Sequence, residues 1–140
     1  GPYNPRRAYT QADFDPAKMA DIDDFKMIND TFGHHKGDPA LRAFSDILRQ
    51  SIRANDTAGR WGGEEFLIVL PHTSVDAAAQ TAEKIRALVA SGDYGEVKTV
   101  TASFGVLAHK PGETLDDLLL RADMALYAAK RKGRNAVVCQ

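Results

Sequence analysis

The sequence predicts an α/β domain whose mixed central sheet is covered by helices. Three observations carry that prediction. Apolar residues recur at helical spacing in several long segments, and short apolar runs rich in β-branched residues, FLIVL above all, separate them. The resulting order is helix, helix, strand, strand, helix, strand, helix, strand. At 140 residues the chain can bury one core without staples, so residues 1–140 are read as a single domain.

Residues 1–20, GPYNPRRAYTQADFDPAKMA, carry three prolines and little periodicity, which predicts an irregular segment with at most one helical turn. After DIDDF, Lys26–Phe32 has the apolar spacing of a short helix closed by Gly33. Asp38 followed by Pro39 predicts the next helix start, a capping carboxylate before a proline at the first helical position. Its buried stripe is Leu41, Phe44, Ile47, Leu48 and Ile52. Thr57–Trp61 and Glu64–Leu70 read as two strands joined by a Gly62-Gly63 turn, and Pro71 ends the second.

From Ser74 to Ala90 the apolar positions Ala78, Ala82, Ile85, Leu88 and Val89 predict a helix, broken by Gly92 to Gly95. Val97–His109 is β-rich. Thr114 opens another helix, with Asp117 three residues on as a weak capping box. Leu118, Leu119, Ala122, Ala125, Leu126 and Ala129 line its inner face, Gly133 closes it, and Ala136–Cys139 reads as a last short strand.

A formal net charge of −1 excludes the overall basic footprint of a duplex nucleic-acid binder, so any phosphate must be met locally. Cys139 is the only cysteine, and no Cys/His cluster has zinc spacing, which favours a reducing, cytoplasmic setting. No apolar run approaches the ~20 residues of a membrane span, and no secretory signal is evident, so no membrane contact is expected. Gly1-Pro2 has the look of a tag remnant.

Two acidic clusters could carry chemistry, Asp21-Ile-Asp-Asp24 and Glu64-Glu65. Side chains alternate along an extended strand, so only one glutamate of the pair faces a given site. Were the DID segment to pair beside the glycine hairpin, Asp21 and Glu64 would converge at one edge of the sheet. Carboxylates plus a backbone carbonyl, without nitrogen or sulfur donors, suit Mg2+ or Mn2+ completed by phosphate and water. Acid content alone fits solvated caps and turns equally well. The basic counterpart is Lys130 to Arg134 at the end of the last helix, where cations offset the helix dipole or clamp a triphosphate. Lys26 adds charge beside the exposed N–H groups of the first helix.

Taken together the motifs resemble the GGDEF family, diguanylate cyclases that condense two GTP into cyclic di-GMP and two pyrophosphates. The resemblance rests on DIDDFKMINDTFGHHKGD (21–38), RANDTAGRWGGEEFLIVLP (53–71), VTASFGV (100–106) and ADMALYAAKRKGRN (122–135), in the family's order and spacing. It implies a palm-like fold, that of nucleotidyl cyclases and polymerases, with a ferredoxin-like core. It also implies that Asp21, the Ile22 carbonyl and Glu64 bind two Mg2+ (or Mn2+) ions per GTP site, with Glu64 and Glu65 as the catalytic pair. Asn29 and Asp38 would accept hydrogen bonds from guanine N1–H and N2–H2, which adenine lacks. Phe25, Lys26, Lys130 and Arg134 complete the family's substrate contacts.

Further implications follow from the same resemblance. One domain holds one GTP, so catalysis needs a two-fold homodimer, and a sensory or regulatory domain is expected in the full-length protein. Arg53 and Asp56 match the family's RxxD inhibitory site for cyclic di-GMP, with Lys84 where a second arginine often stands, a less planar partner. The departure from the pattern lies at the front: the family has a helix and an apolar strand before the first aspartate, whereas TQADFDPAKMA stands here. Met19-Ala20 is a poor stand-in for a buried central strand. The alternative is a catalytically silent GGDEF module that binds GTP or cyclic di-GMP.

Overall fold

The structure, a computed structural model, describes residues 17–22, 34–62, 65–95, 97 and 99–140, with the side chains of 17–22, 34–38 and 60–62 excepted. Eight elements follow one another among the described residues: β1 (Ala17–Ile22), α1 (His34–Ser51), β2 (Thr57–Gly62), β3 (Glu65–Val69), α2 (Val75–Ala90), β4 (Ala102–Leu107), α3 (Leu115–Arg131) and β5 (Val137–Cys139). The five strands form one sheet in the order β2-β3-β1-β4-β5. All neighbours run antiparallel except β4 and β5, which are parallel. A parallel pair needs a crossover, and α3 provides it.

β3 and β4 are buried on both faces, which explains why FLIVL reads as unbroken apolar sequence. On one face Phe66, Ile68, Phe104 and Val106 pack under α1 and α2, where Phe44 meets Phe66 with ring centroids 4.8 Å apart. On the other, Leu67, Val69 and Leu107 meet Leu118, Ala122 and Leu126 of α3. The contact with α3 is so close at Gly105 that an added Cβ would lie 2.7 Å from the Leu126 nitrogen and 2.9 Å from the Ala122 oxygen.

Hydroxyl caps set two helix starts. Ser74 Oγ accepts from the Ala77 N–H at 3.1 Å, and Thr114 Oγ1 accepts from the Asp117 N–H at 3.2 Å. Gly133, at φ 114°, ends α3 in a conformation that excludes most side chains.

Three sequence expectations are corrected. Residues 17–20, expected as irregular, form the central strand together with Asp21 and Ile22: Ala17–Asp21 pairs with β3 and Ala17–Ile22 with β4. Pairing on both sides outweighs the weak strand propensity of Ala, Lys and Met. The helix expected from Asp38 begins at His34, so Asp38 is its fifth residue rather than its cap, and Pro39 lies inside it. The proline forfeits one helical hydrogen bond, which burial of Ala40, Leu41 and Phe44 offsets. The fourth strand spans only Ala102–Leu107 of the β-rich stretch 97–109. The short helix expected at Lys26–Phe32 and the turn residue Gly63 lie outside the described residues.

Candidate functional site

The centre of the sheet decides where the acidic motifs meet. β1 ends with Asp21 level with Glu65 of β3 on one side and with Ser103 of β4 on the other. Ile22 is level with Ala102. Adjacent strands lie ~4.8 Å apart, so the two acidic motifs, far apart in sequence, share one end of the sheet. Glu65 is half-buried and Ser103 fully buried, both engaged by neighbouring groups. The hairpin is irregular at this point, its register shifting between Arg60 and Gly62, which re-aims the chain just before the glutamates.

The acidic motifs, with Asp21, the Ile22 carbonyl and the glutamates of GGEEF, offer only hard oxygen donors. That donor chemistry fits Mg2+ or Mn2+ and not a zinc site. Among the described residues, where the Asp21 side chain is not included, no three His, Cys, Asp or Glu side chains form a metal cluster. Glu64, Phe25, Lys26 and Asn29 lie outside the described residues, and Asp38 is described in backbone only, early in α1.

The basic residues sit where α3 ends. Lys130 and Arg131 occupy its last turn. The chain then turns through Gly133, Arg134 and Asn135, all at positive φ. The Arg134 N–H donates to the carbonyls of Ala129 and Lys130, both at 3.2 Å, which fixes Arg134 directly beyond Lys130. This turn is braced from α2 by a residue that the sequence reading passed over. Arg86 Nη1 donates to Asn135 Oδ1 at 2.8 Å, and its Nε donates to both Glu83 oxygens at 2.9 Å. Hydrogen bonds from Arg86 hold the Glu83 carboxyl below its ordinary pKa and raise that of Arg86. Only the Glu83–Arg86 spacing was visible in the sequence; the reach to Asn135 is tertiary.

A second locus lies at the end of α1. The Arg53 N–H donates to Asp56 Oδ2 at 2.8 Å, the Asp56 N–H donates back to the Arg53 carbonyl at 3.0 Å, and Arg53 Nε reaches Asp56 Oδ2 at 3.4 Å. The guanidinium also donates to Thr73 Oγ1 and, at 3.5 Å, to the Pro71 carbonyl. The Asp56 side chain is 3% exposed and that of Arg53 67%, so a buried acid aims an accessible cation. Asp56 Oδ1 is buried and accepts no hydrogen bond among the described residues. Beside the turn lies a cavity of about 580 Å3, lined by Leu48, Ile52, Phe66, Arg49, Arg53 and Asp56 among others. Lys84 is exposed in the middle of α2, and no hydrogen bond or ion pair among the described residues joins it to Arg53 or Asp56.

With this geometry in place the comparisons are specific. The family model "Diguanylate cyclase, GGDEF domain" matches residues 17–136. Over 120 residues the chain is 45% identical to diguanylate cyclase DgcM of Escherichia coli, covering 86% of this chain and 29% of that protein. It is 45% identical over 139 residues to the response regulator PleD of Caulobacter vibrioides, covering 95% and 31%. The chain thus spans about three-tenths of these relatives. Among solved structures, the active GGEEF domain of a Vibrio cholerae diguanylate cyclase matches at TM-score 0.81 and 40% identity, covering 88% of this chain and 80% of that one. The GGDEF domain of DgcB from Caulobacter crescentus, in complex with c-di-GMP, matches at TM-score 0.81 and 38% identity, covering 88% and 75%.

Proposed function

Because the chain belongs to the GGDEF family of diguanylate cyclase domains, we propose that it condenses two GTP into cyclic di-GMP with release of two pyrophosphates. The observation that carries this reading is the register of the central strands, which sets Asp21 of the DID motif level with Glu65 of GGEEF. Asp21, the Ile22 carbonyl and Glu64 would hold two Mg2+ or Mn2+ ions. Bound there, such ions neutralise phosphate charge and acidify the attacking 3′-hydroxyl.

The protein's own groups do the rest. Asn29 and Asp38 accept from the guanine edge and thereby select GTP over ATP. Lys26, Lys130 and Arg134 hold the triphosphate, and since charge builds on the departing pyrophosphate, these cations favour the transition state over the ground state. Glu64 takes the proton from the 3′-oxygen, Glu65 completes the catalytic pair, and Phe25 is counted among the substrate contacts. Two phosphodiester bonds need two GTP, so two domains face one another as a two-fold dimer. Cyclic di-GMP then binds back at Arg53 and Asp56, with Lys84 contributing charge. The guanidinium that Asp56 and Thr73 hold in place is suited to a guanine O6/N7 edge or a phosphate. A regulatory domain elsewhere in the full-length protein and a cytoplasmic location, where GTP is available, complete the reading.

The test is incubation with GTP and Mg2+, separation of the nucleotides, and repetition across protein concentrations. Cyclic di-GMP formed at a rate per domain that rises with concentration supports the proposal. No product, a different product, or a rate per domain independent of concentration overturns it. Arg53→Ala should relieve product inhibition; unchanged inhibition would remove the inhibitory assignment while leaving the cyclase intact.

A further inference from the structure

Four large apolar side chains are exposed among the described residues, and three of them lie on one helix: Leu120 at 60%, Met124 at 55% and Tyr127 at 62% exposed. Their spacing of four and three residues places them on one line along α3, opposite the face that packs on the sheet through Leu118, Ala122, Ala125 and Ala129. The line continues into charge at both ends. Asp116, four residues before Leu120, is exposed in the first turn, and Arg131, four residues after Tyr127, is exposed in the last. The Arg131 guanidinium stands over the Tyr127 ring, 5.9 Å from its centroid, which holds the cation on the apolar line.

We propose that this stripe is an interface between two copies of the chain, paired through antiparallel α3 helices about a two-fold axis near Asp123 and Met124. The argument is one of symmetry. A two-fold interface must be self-complementary, so each residue has to suit the one that the axis sets against it. Here the axis sets Asp116 against Arg131 of the partner subunit and Leu120 against Tyr127 of the partner subunit, while Met124 closes the centre. Acid meets base at both ends and apolar meets apolar between them. A parallel pairing would set acid against acid and base against base. The helix macrodipoles favour the antiparallel arrangement as well.

This interface is separate from the GTP-facing dimer proposed above. It uses the outer face of α3, whereas Lys130 is half-buried on another face and Arg134 lies in the following turn. A stripe ~22 Å long on a single helix is small, and the two copies of Asp123 meet near its rim. Association is therefore weak, with a dissociation constant on the order of tens of micromolar or above.

Sedimentation equilibrium without nucleotide, from about 5 to 500 µM protein, tests the proposal on a scale set by interfaces of this size. The unaltered chain should show a monomer–dimer equilibrium, and Met124→Arg should abolish it with an unchanged circular dichroism spectrum. Asp116→Arg and Arg131→Asp should each weaken pairing by about tenfold, and the two together should restore it to within about threefold. A monomer at all concentrations overturns the proposal. So does a dimer indifferent to Met124→Arg, or a double charge swap that fails to rescue the single ones.

Discussion

Replacing Gly105 by alanine examines how closely α3 is seated on β4. The new methyl would sit 2.7 Å from the Leu126 nitrogen, 2.8 Å from the Ala125 Cβ and 2.9 Å from the Ala122 oxygen. Comfortable contact begins at ~3.5 Å, so α3 must lift from β4 by roughly 0.8 Å. Two of the three obstacles are backbone atoms, which cannot rotate aside. Overpacking of this kind costs ~1–3 kcal/mol, against a gain of ~0.4–1 kcal/mol from the stiffer unfolded chain. A net loss of ~1–2 kcal/mol corresponds to a fall in melting temperature of roughly 3–7 °C for a domain of this size. Thermal and urea unfolding followed by circular dichroism would measure it. A melting temperature equal to or above that of the unaltered chain would refute the claim that α3 is seated directly on β4. Because α3 also carries Lys130, the same variant should bind GTP less well than its residual stability alone accounts for.

Three further outcomes follow from individual contacts. Glu113 receives Arg121 Nε at 2.6 Å and Nη2 at 2.8 Å, and these bonds lead the causes that hold its pKa down to about 2 from 4.5. A depressed folded pKa means the stabilisation is complete above the unfolded value and lost as pH falls from 4.5 toward 2. The stability gap between the unaltered chain and Glu113→Gln should therefore close across that window, and a gap constant with pH would contradict the pairing. Ser74→Ala and Thr114→Ala should each lower stability by ~1 kcal/mol in urea titrations, since each leaves a first-turn N–H without its acceptor. Arg86→Ala should raise the KM for GTP by about threefold or more through release of Asn135, with kcat little changed; a fall in kcat at constant KM would place Arg86 elsewhere in the mechanism.

The parts of the fold written in local patterns were legible in the sequence. Helices α2 and α3 begin at the hydroxyl residues expected of them, Ser74 and Thr114, because a cap is a contact within three residues. β3 was legible because a doubly buried strand has to be apolar throughout. β1 was not, because Ala17–Ala20 owe their conformation to two neighbouring strands that enter the chain some fifty and ninety residues later. Asp38 misled for the opposite reason: a strong local signal for a cap was overridden by a helix that extends back to His34. The Arg53 turn was recognisable as a motif, yet its anchor on Thr73 was not, since nothing near Arg53 in the sequence names that partner.

The position of β1 bears directly on the reach of the functional reading. The resemblance leads one to expect an apolar strand ahead of the first aspartate, and its substitute here is Ala17-Lys-Met-Ala20. Were β1 an edge strand, such a segment would leave Asp21 held on one side only. In the sheet observed it is the central strand, bonded to β3 and β4 along its length, and the pairing with both neighbours still includes Asp21. Backbone pairing needs no particular side chain, so register can be retained where apolar content is poor. What is given up relative to an apolar strand is hydrophobic content, which bears on stability more than on geometry. A sheet held this way can keep its acidic row aligned while unfolding more readily. The expected signature is a melting temperature that rises on Ala20→Val with the GTP KM unchanged, because Ala20 is level with Phe66 and Phe104 on the row next to the acids, and valine is the more apolar residue and the better strand former.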